Sequence, residues 1–91
     1  MGLKNTTSCL GYQQITSLSS ATGLTVPPGA NYALIIPETQ AVRFRDDGTD
    51  PTASVGMPLS TGAAFQYDGD LNKIKFIEQS ASAKLNISYY A

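Results

Sequence analysis

The chain has 91 residues, of which 6 are basic and 7 acidic, for a net charge of −1 and only 14% charged side chains. That length implies one domain with a modest core, and that charge excludes the clustered Lys and Arg of a nucleic-acid footprint. One cysteine and no histidine exclude an intrachain disulfide and a structural zinc site, leaving oligomerisation as the common route to stability for so small a unit.

The opening MGLKNTTSCLGYQQ lacks the apolar region of a signal peptide. It spells a myristoylation pattern through Gly2 and Thr6, with Cys9 nearby. The pattern is short, and residues 1–12 read as an extended polar arm. Asn5-Thr6-Thr7 and Asn86-Ile87-Ser88 are glycosylation sequons by spelling, idle without a secretory signal. No apolar run reaches the roughly eighteen residues of a membrane span.

Helical periodicity is absent beyond a single turn near Ser17 to Thr22. Short runs of Val, Ile, Phe, Tyr and Thr alternate instead with Gly, Pro and Asp clusters. Tyr12 to Ser19 is the first expected strand. Leu24 to Val26 is a brief second, closed by Pro27-Pro28-Gly29, where proline gives up the ladder donor and glycine frees the turn. In Tyr32 to Ile36 every residue is apolar, so both faces should be covered. Val42 to Arg45 alternates, Val42 and Phe44 one way, Arg43 and Arg45 the other. Strands follow around Met57 to Leu59, closed by Gly62, and up to Tyr67, followed by an Asp68-Gly69 turn. Ile74 and Phe76 face inward from the next strand, with Lys73 and Lys75 outward. The last strand sets Leu85, Ile87 and Tyr89 against Lys84, Asn86, Ser88 and Tyr90.

Seven or eight short strands at roughly ten-residue spacing are the pattern of a β-sandwich or barrel. The expected fold is all-β: one small antiparallel β-sandwich over residues 13–91, jelly-roll or immunoglobulin-like, behind the arm. Its expected core is Ile15, Leu34, Ile36, Val42, Phe44, Leu59, Phe65, Ile74, Phe76, Leu85, Ile87 and Tyr89. Burial on this scale roughly balances chain entropy, and open sandwich edges invite pairing. Both arguments favour self-association.

The segment RFRDDGTDPTASVGMPL, Arg43 to Leu59, concentrates charge and oxygen donors. Its order Asp46, Asp47, Gly48, Thr49, Asp50 does not fit an EF-hand, and no Glu stands twelve residues along. Asp46 and Asp47 are neighbours, so on a strand they point to opposite faces and do not flank one cleft. No histidine is present as a base, Ser and Thr have no evident activator, and neither a dinucleotide nor a phosphate-binding loop appears. No enzymatic activity and no cofactor or metal are expected, a non-EF calcium site on Asp47, Asp50 and backbone carbonyls being the minor alternative. The segment reads as a turn: Asx-type bonds, a glycine tolerant of positive φ, and an extended restart at Asp50-Pro51. Arg43 and Arg45 stand ready to pair with Asp46, Asp47 or Asp50. At a subunit contact such charges set register more than affinity, so Arg43, Arg45, Asp46, Asp47, Asp50 and the outward Tyr90 are the candidate interface residues.

The string VRFRDDGTDPTASVGMPL, Val42 to Leu59, followed by AFQYDGDLNKIKFIEQSASAKLNISYYA, resembles small virion proteins encoded in the structural modules of tailed bacteriophages. Such chains share a V-R-x-R-D-D-G-T-x-P-T-x-x-x-G-M-x-L core, an I-x-F-I segment and an ending like L-N-x-x-Y. The resemblance covers Leu24 to Ala91 and leaves the arm out. It implies a particle component, a β-sandwich without catalytic residues to carry over. Within that family the expected role is capsid decoration or cement, in the virion and made in the host bacterial cytoplasm. The expected partners are further copies of the chain, a trimer at three-fold lattice positions, and the major capsid protein or another virion protein. Nucleic acid and membrane are not expected partners. Two alternatives stay open: a head–tail or tail component, and a lectin-like receptor-binding module using Asp47, Asp50, Gln66 and Tyr67.

Overall fold

The computed structural model describes residues 8–91. It is all-β, with eight strands: β1 (Cys9–Ile15), β2 (Thr22–Gly23), β3 (Tyr32–Glu38), β4 (Val42–Arg45), β5 (Met57–Leu59), β6 (Phe65–Tyr67), β7 (Lys75–Glu78) and β8 (Lys84–Tyr90). They form two four-stranded antiparallel sheets, sheet A in the order β1-β8-β3-β6 and sheet B in the order β2-β7-β4-β5. The pairs β1·β8, β2·β7, β3·β6 and β4·β5 are those of one long hairpin doubled back between β4 and β5. Two further pairings, β3·β8 and β4·β7, roll that hairpin into a sandwich. This wiring is a jelly roll and not an immunoglobulin-like sandwich.

Most strands lie close to their expected positions; the brief one expected at Leu24 to Val26 falls instead at Thr22–Gly23, with Leu24 to Val26 irregular, and the other differences have local causes. The strand expected at Tyr12 begins at Cys9, and Ser8 and Ala91 exchange two backbone hydrogen bonds of 3.1 Å just beyond it. The expected arm therefore gives way to sheet pairing from Ser8 onward; its remainder, with Gly2 and Thr6, lies outside the described residues. The segment Ser17 to Thr22, the one place open to a single helical turn, is instead an irregular crossing between the sheets. There Leu18 is buried and its carbonyl accepts the Glu78 N–H at 2.9 Å. The Asp68-Gly69 turn does not join paired strands, because β6 and β7 belong to different sheets. The tight turn falls next, where the Asp70 carbonyl accepts the N–H groups of Lys73 and Ile74.

The core takes Ile15, Val42, Ile74, Phe76, Leu85, Ile87 and Tyr89 as expected, and adds Leu18, Ala33, Ile35, Leu71 and Ala83. Phe44, Leu59 and Phe65 pack against it half-buried. The phase of β3 is the reverse of the expected one: Ala33, Ile35 and Pro37 are buried while Leu34 and Ile36 face outward. A run of apolar residues carries no alternation from which to read a phase. Register settles it, because Ala33, Ile35 and Pro37 stand opposite Tyr89, Ile87 and Leu85 of β8. Those β8 residues already face the core. In place of cover on both faces, β3 is covered on one.

Candidate functional site

The charged segment between β4 and β5 is a strap folded back over the outer face of sheet B. Its anchors are the cations that β4 and β7 present on that face, where Arg43 stands opposite Ile77 and Arg45 opposite Lys75. Arg43 donates through Nε to the Ala53 carbonyl at 3.1 Å and through Nη1 to the Gly56 carbonyl at 2.9 Å. Arg45 grips the Asp47 carboxylate with both arms of its fork, at 3.1 and 2.5 Å. Lys75 reaches Asp50 at 3.1 Å.

Within the strap Asp47 also accepts the Thr49 N–H at 3.3 Å, an Asx turn, and Gly48 between them has φ +90. The expected turn chemistry is therefore present. A second small turn follows, with Thr52 and Val55 bridged and the Thr52 hydroxyl accepting the Ser54 and Val55 N–H groups. Pro51 is buried beneath it. At Gly56, with φ +144, a β-carbon would stand 3.1 Å from the Phe44 carbonyl oxygen and 3.2 Å from Pro51. Only glycine lets the strap lie this close to β4.

Asp46 takes a different partner. It sits one residue beyond β4 and accepts the Tyr67 hydroxyl at 2.7 Å. This bond ties the end of a sheet B strand to the edge strand of sheet A. Burial, and then the Asp46 carboxylate beside it, push the Tyr67 phenol up to about 12. The hydrogen bonds from Arg45 hold the Asp47 carboxyl down to about 2.

The structure thus separates the three aspartates. Asp46 points to Tyr67, Asp47 to Arg45 and Asp50 to Lys75, and among the described residues no group of three or more His, Cys, Asp or Glu could hold a metal ion. Arg43, Arg45, Asp46, Asp47 and Asp50 all have partners within the chain. The lectin-like set is not brought together either. Asp47 and Asp50 lie on the strap, Tyr67 packs against the core, and Gln66 is on the outer face of sheet A opposite Leu34.

Tyr90, the remaining candidate, belongs to that other face. It stacks on Tyr32 across the β3–β8 pair, with ring centroids 5.3 Å apart and 19° between planes. The fork at the adjacent tyrosines resolves as alternation requires: Tyr89 is buried and Tyr90 half-exposed. Further along the same face, Asn86 accepts the Tyr12 hydroxyl at 2.5 Å and the Gln14 amide at 3.0 Å, and donates to Glu38 at 3.0 Å. Tyr12, Gln14, Asn86 and Glu38 were invisible as a group in the sequence. They come from three strands as far as 74 residues apart, and only the register aligns them. Their one sequence signal is the outward half of each alternating run.

Comparison with protein-family models, curated proteins and solved structures finds no match for the chain.

Proposed function

We propose that the chain is a structural component of a bacteriophage particle, a capsid decoration protein that binds the assembled shell and stabilises it by non-covalent contacts. The observation that carries this reading is the contrast between the two outer faces. Sheet B is partly covered by its own strap, whose charged groups are all internally engaged, with Val55 and Met57 left exposed beside it. Sheet A presents a broad, nearly uncharged face of Tyr, Leu, Ile, Asn, Gln and Ser to its surroundings. A surface of that kind fits a protein that acts by contact.

Two other features support the reading. The Val42–Leu59 string resembles tailed-bacteriophage virion proteins, and in this fold it builds the strap that partly covers one side of the module. Jelly rolls also recur among viral capsid domains, which is an analogy of fold and raises expectation only.

The test is reconstitution. Particles assembled without the chain are incubated with the purified protein, then heated. Bound protein and a higher temperature of genome release are expected. Failure to bind shells of the parent bacteriophage would contradict the decoration role.

A further inference from the structure

Among the described residues, the outer face of sheet A has no hydrogen-bonded strap like that on sheet B: its side-chain hydrogen bonds run between its own strands. Its centre is the long strand β3, which places Tyr32, Leu34 and Ile36 outward, each half-buried. Apolar side chains in the middle of a sheet face are ordinarily covered.

We propose that this face packs against the same face of a second copy of the chain, about a two-fold axis running along the strands between β3 and β8. The inference rests on the role proposed above, in which this face acts by contact, and names what it contacts.

Charge selects the occupant. The four strands of sheet A carry only two charged side chains, Glu38 on β3 and Lys84 on β8, and both belong to the outward set. They are cross-strand neighbours at one end of the face and form no ion pair with each other. The proposed axis lays β3 of one copy over β8 of the other. It therefore sets Glu38 of each copy opposite Lys84 of the second copy, two complementary pairs from a single operation. A partner of one dominant charge would match only half of this arrangement.

Area is compatible. Three of the four strands have seven residues and β6 has three, so the face is roughly 23 Å long and about 14 Å wide, widening to about 19 Å beside β6. That is on the order of 350–400 Å² in projection, and more as accessible surface once side-chain relief is included, against about 800 Å² per partner in a standard interface. Two such faces stack about 10 Å apart with strands nearly aligned, the ordinary geometry of sheet-on-sheet packing. The contact is two-fold; a trimer would have to be built from other surfaces.

Sedimentation of the purified chain tests this, with circular dichroism confirming that each variant is folded. The wild type is expected at twice the 9.6 kDa chain mass. Glu38→Lys and Lys84→Glu should each weaken the dimer at least about tenfold, because each places like charges opposite one another twice. Mixing the two folded variants should restore a dimer, since the heterodimer recovers opposite charges in both pairs. A purely intramolecular role for Glu38 or Lys84 predicts no such restoration. A wild type that is monomeric at high concentration overturns the inference, including one that instead binds a polysaccharide or a shell through this face. So does a dimer indifferent to both substitutions, or a mixture that stays monomeric. A monomer that still decorates shells would leave the particle role standing, so the two failures are distinguishable.

Discussion

Arg43 shows how much a single residue organises here. Among the described residues outside the strap, it is the only side chain that hydrogen-bonds the strap's backbone, spanning the Ala53 and Gly56 carbonyls with two arms of one planar fork. The Arg45–Asp47 and Lys75–Asp50 pairs are more exposed, and exposed ion pairs contribute little. Arg43→Ala is therefore expected to cost about 1.5–3 kcal/mol, the range for hydrogen bonds to a charged group. Arg43→Lys should recover only part of that, because an ammonium cannot reproduce the fork. Urea denaturation midpoints check both; equal stability of Arg43→Ala and wild type would remove Arg43 from this role. The residue types of the strap were legible in the sequence, down to the Asx turn and the glycine with positive φ. The partners were not. Arg43 and Arg45 were read together as charges for aspartates, whereas the structure gives Arg43 two carbonyls, and no residue pattern announces a carbonyl as an acceptor.

Among the elements, the strands with clean alternation could be placed from the sequence and β3 could not. Val42–Arg45 and Lys84–Tyr90 each contain polar residues that mark the outer face, so their inward sets were correct. Tyr32 to Ile36 contains none, and its phase comes from β8 across the ladder. That reversal put Leu34 and Ile36 on the surface and made the exposed face of sheet A visible. The ties made by tyrosines are equally non-local. Tyr67 on β6 donates to Asp46 beyond β4, between the sheets, and Tyr89 on β8 donates to Gln13 on the neighbouring β1 at 2.7 Å, within sheet A. Burial raises both phenols to about 12, whereas phenols of the unfolded chain ionise near about 10. Between those values the unfolded state holds fewer protons than the fold. Stability is thus full below about pH 10 and falls as pH rises towards about 12. Denaturation midpoints measured across that window should decline, and Tyr67→Phe or Tyr89→Phe should flatten the decline. A wild-type midpoint constant from pH 10 to 12 would contradict the assignment of these groups.

At the scale of the whole molecule, the two ends of the described chain meet. β1 pairs with β8 from Cys9 opposite Tyr90 to Ile15 opposite Leu85, and the remaining pairs nest inside that one. Strand number and spacing were enough to place the chain among sandwiches, but a jelly roll differs from an immunoglobulin-like fold in which distant strands pair, and those pairings leave no local mark. The resulting sandwich has one face partly covered by its own strap and one without such cover. In the proposed role the uncovered face meets a second copy of the chain on a bacteriophage particle. The most direct measurement is a quantitative protein inventory of purified, mature particles of the bacteriophage that encodes the chain. The chain should be present on the order of hundreds of copies per particle, in fixed ratio to the major capsid protein, as a repeating lattice requires. Its absence from mature particles would contradict the account.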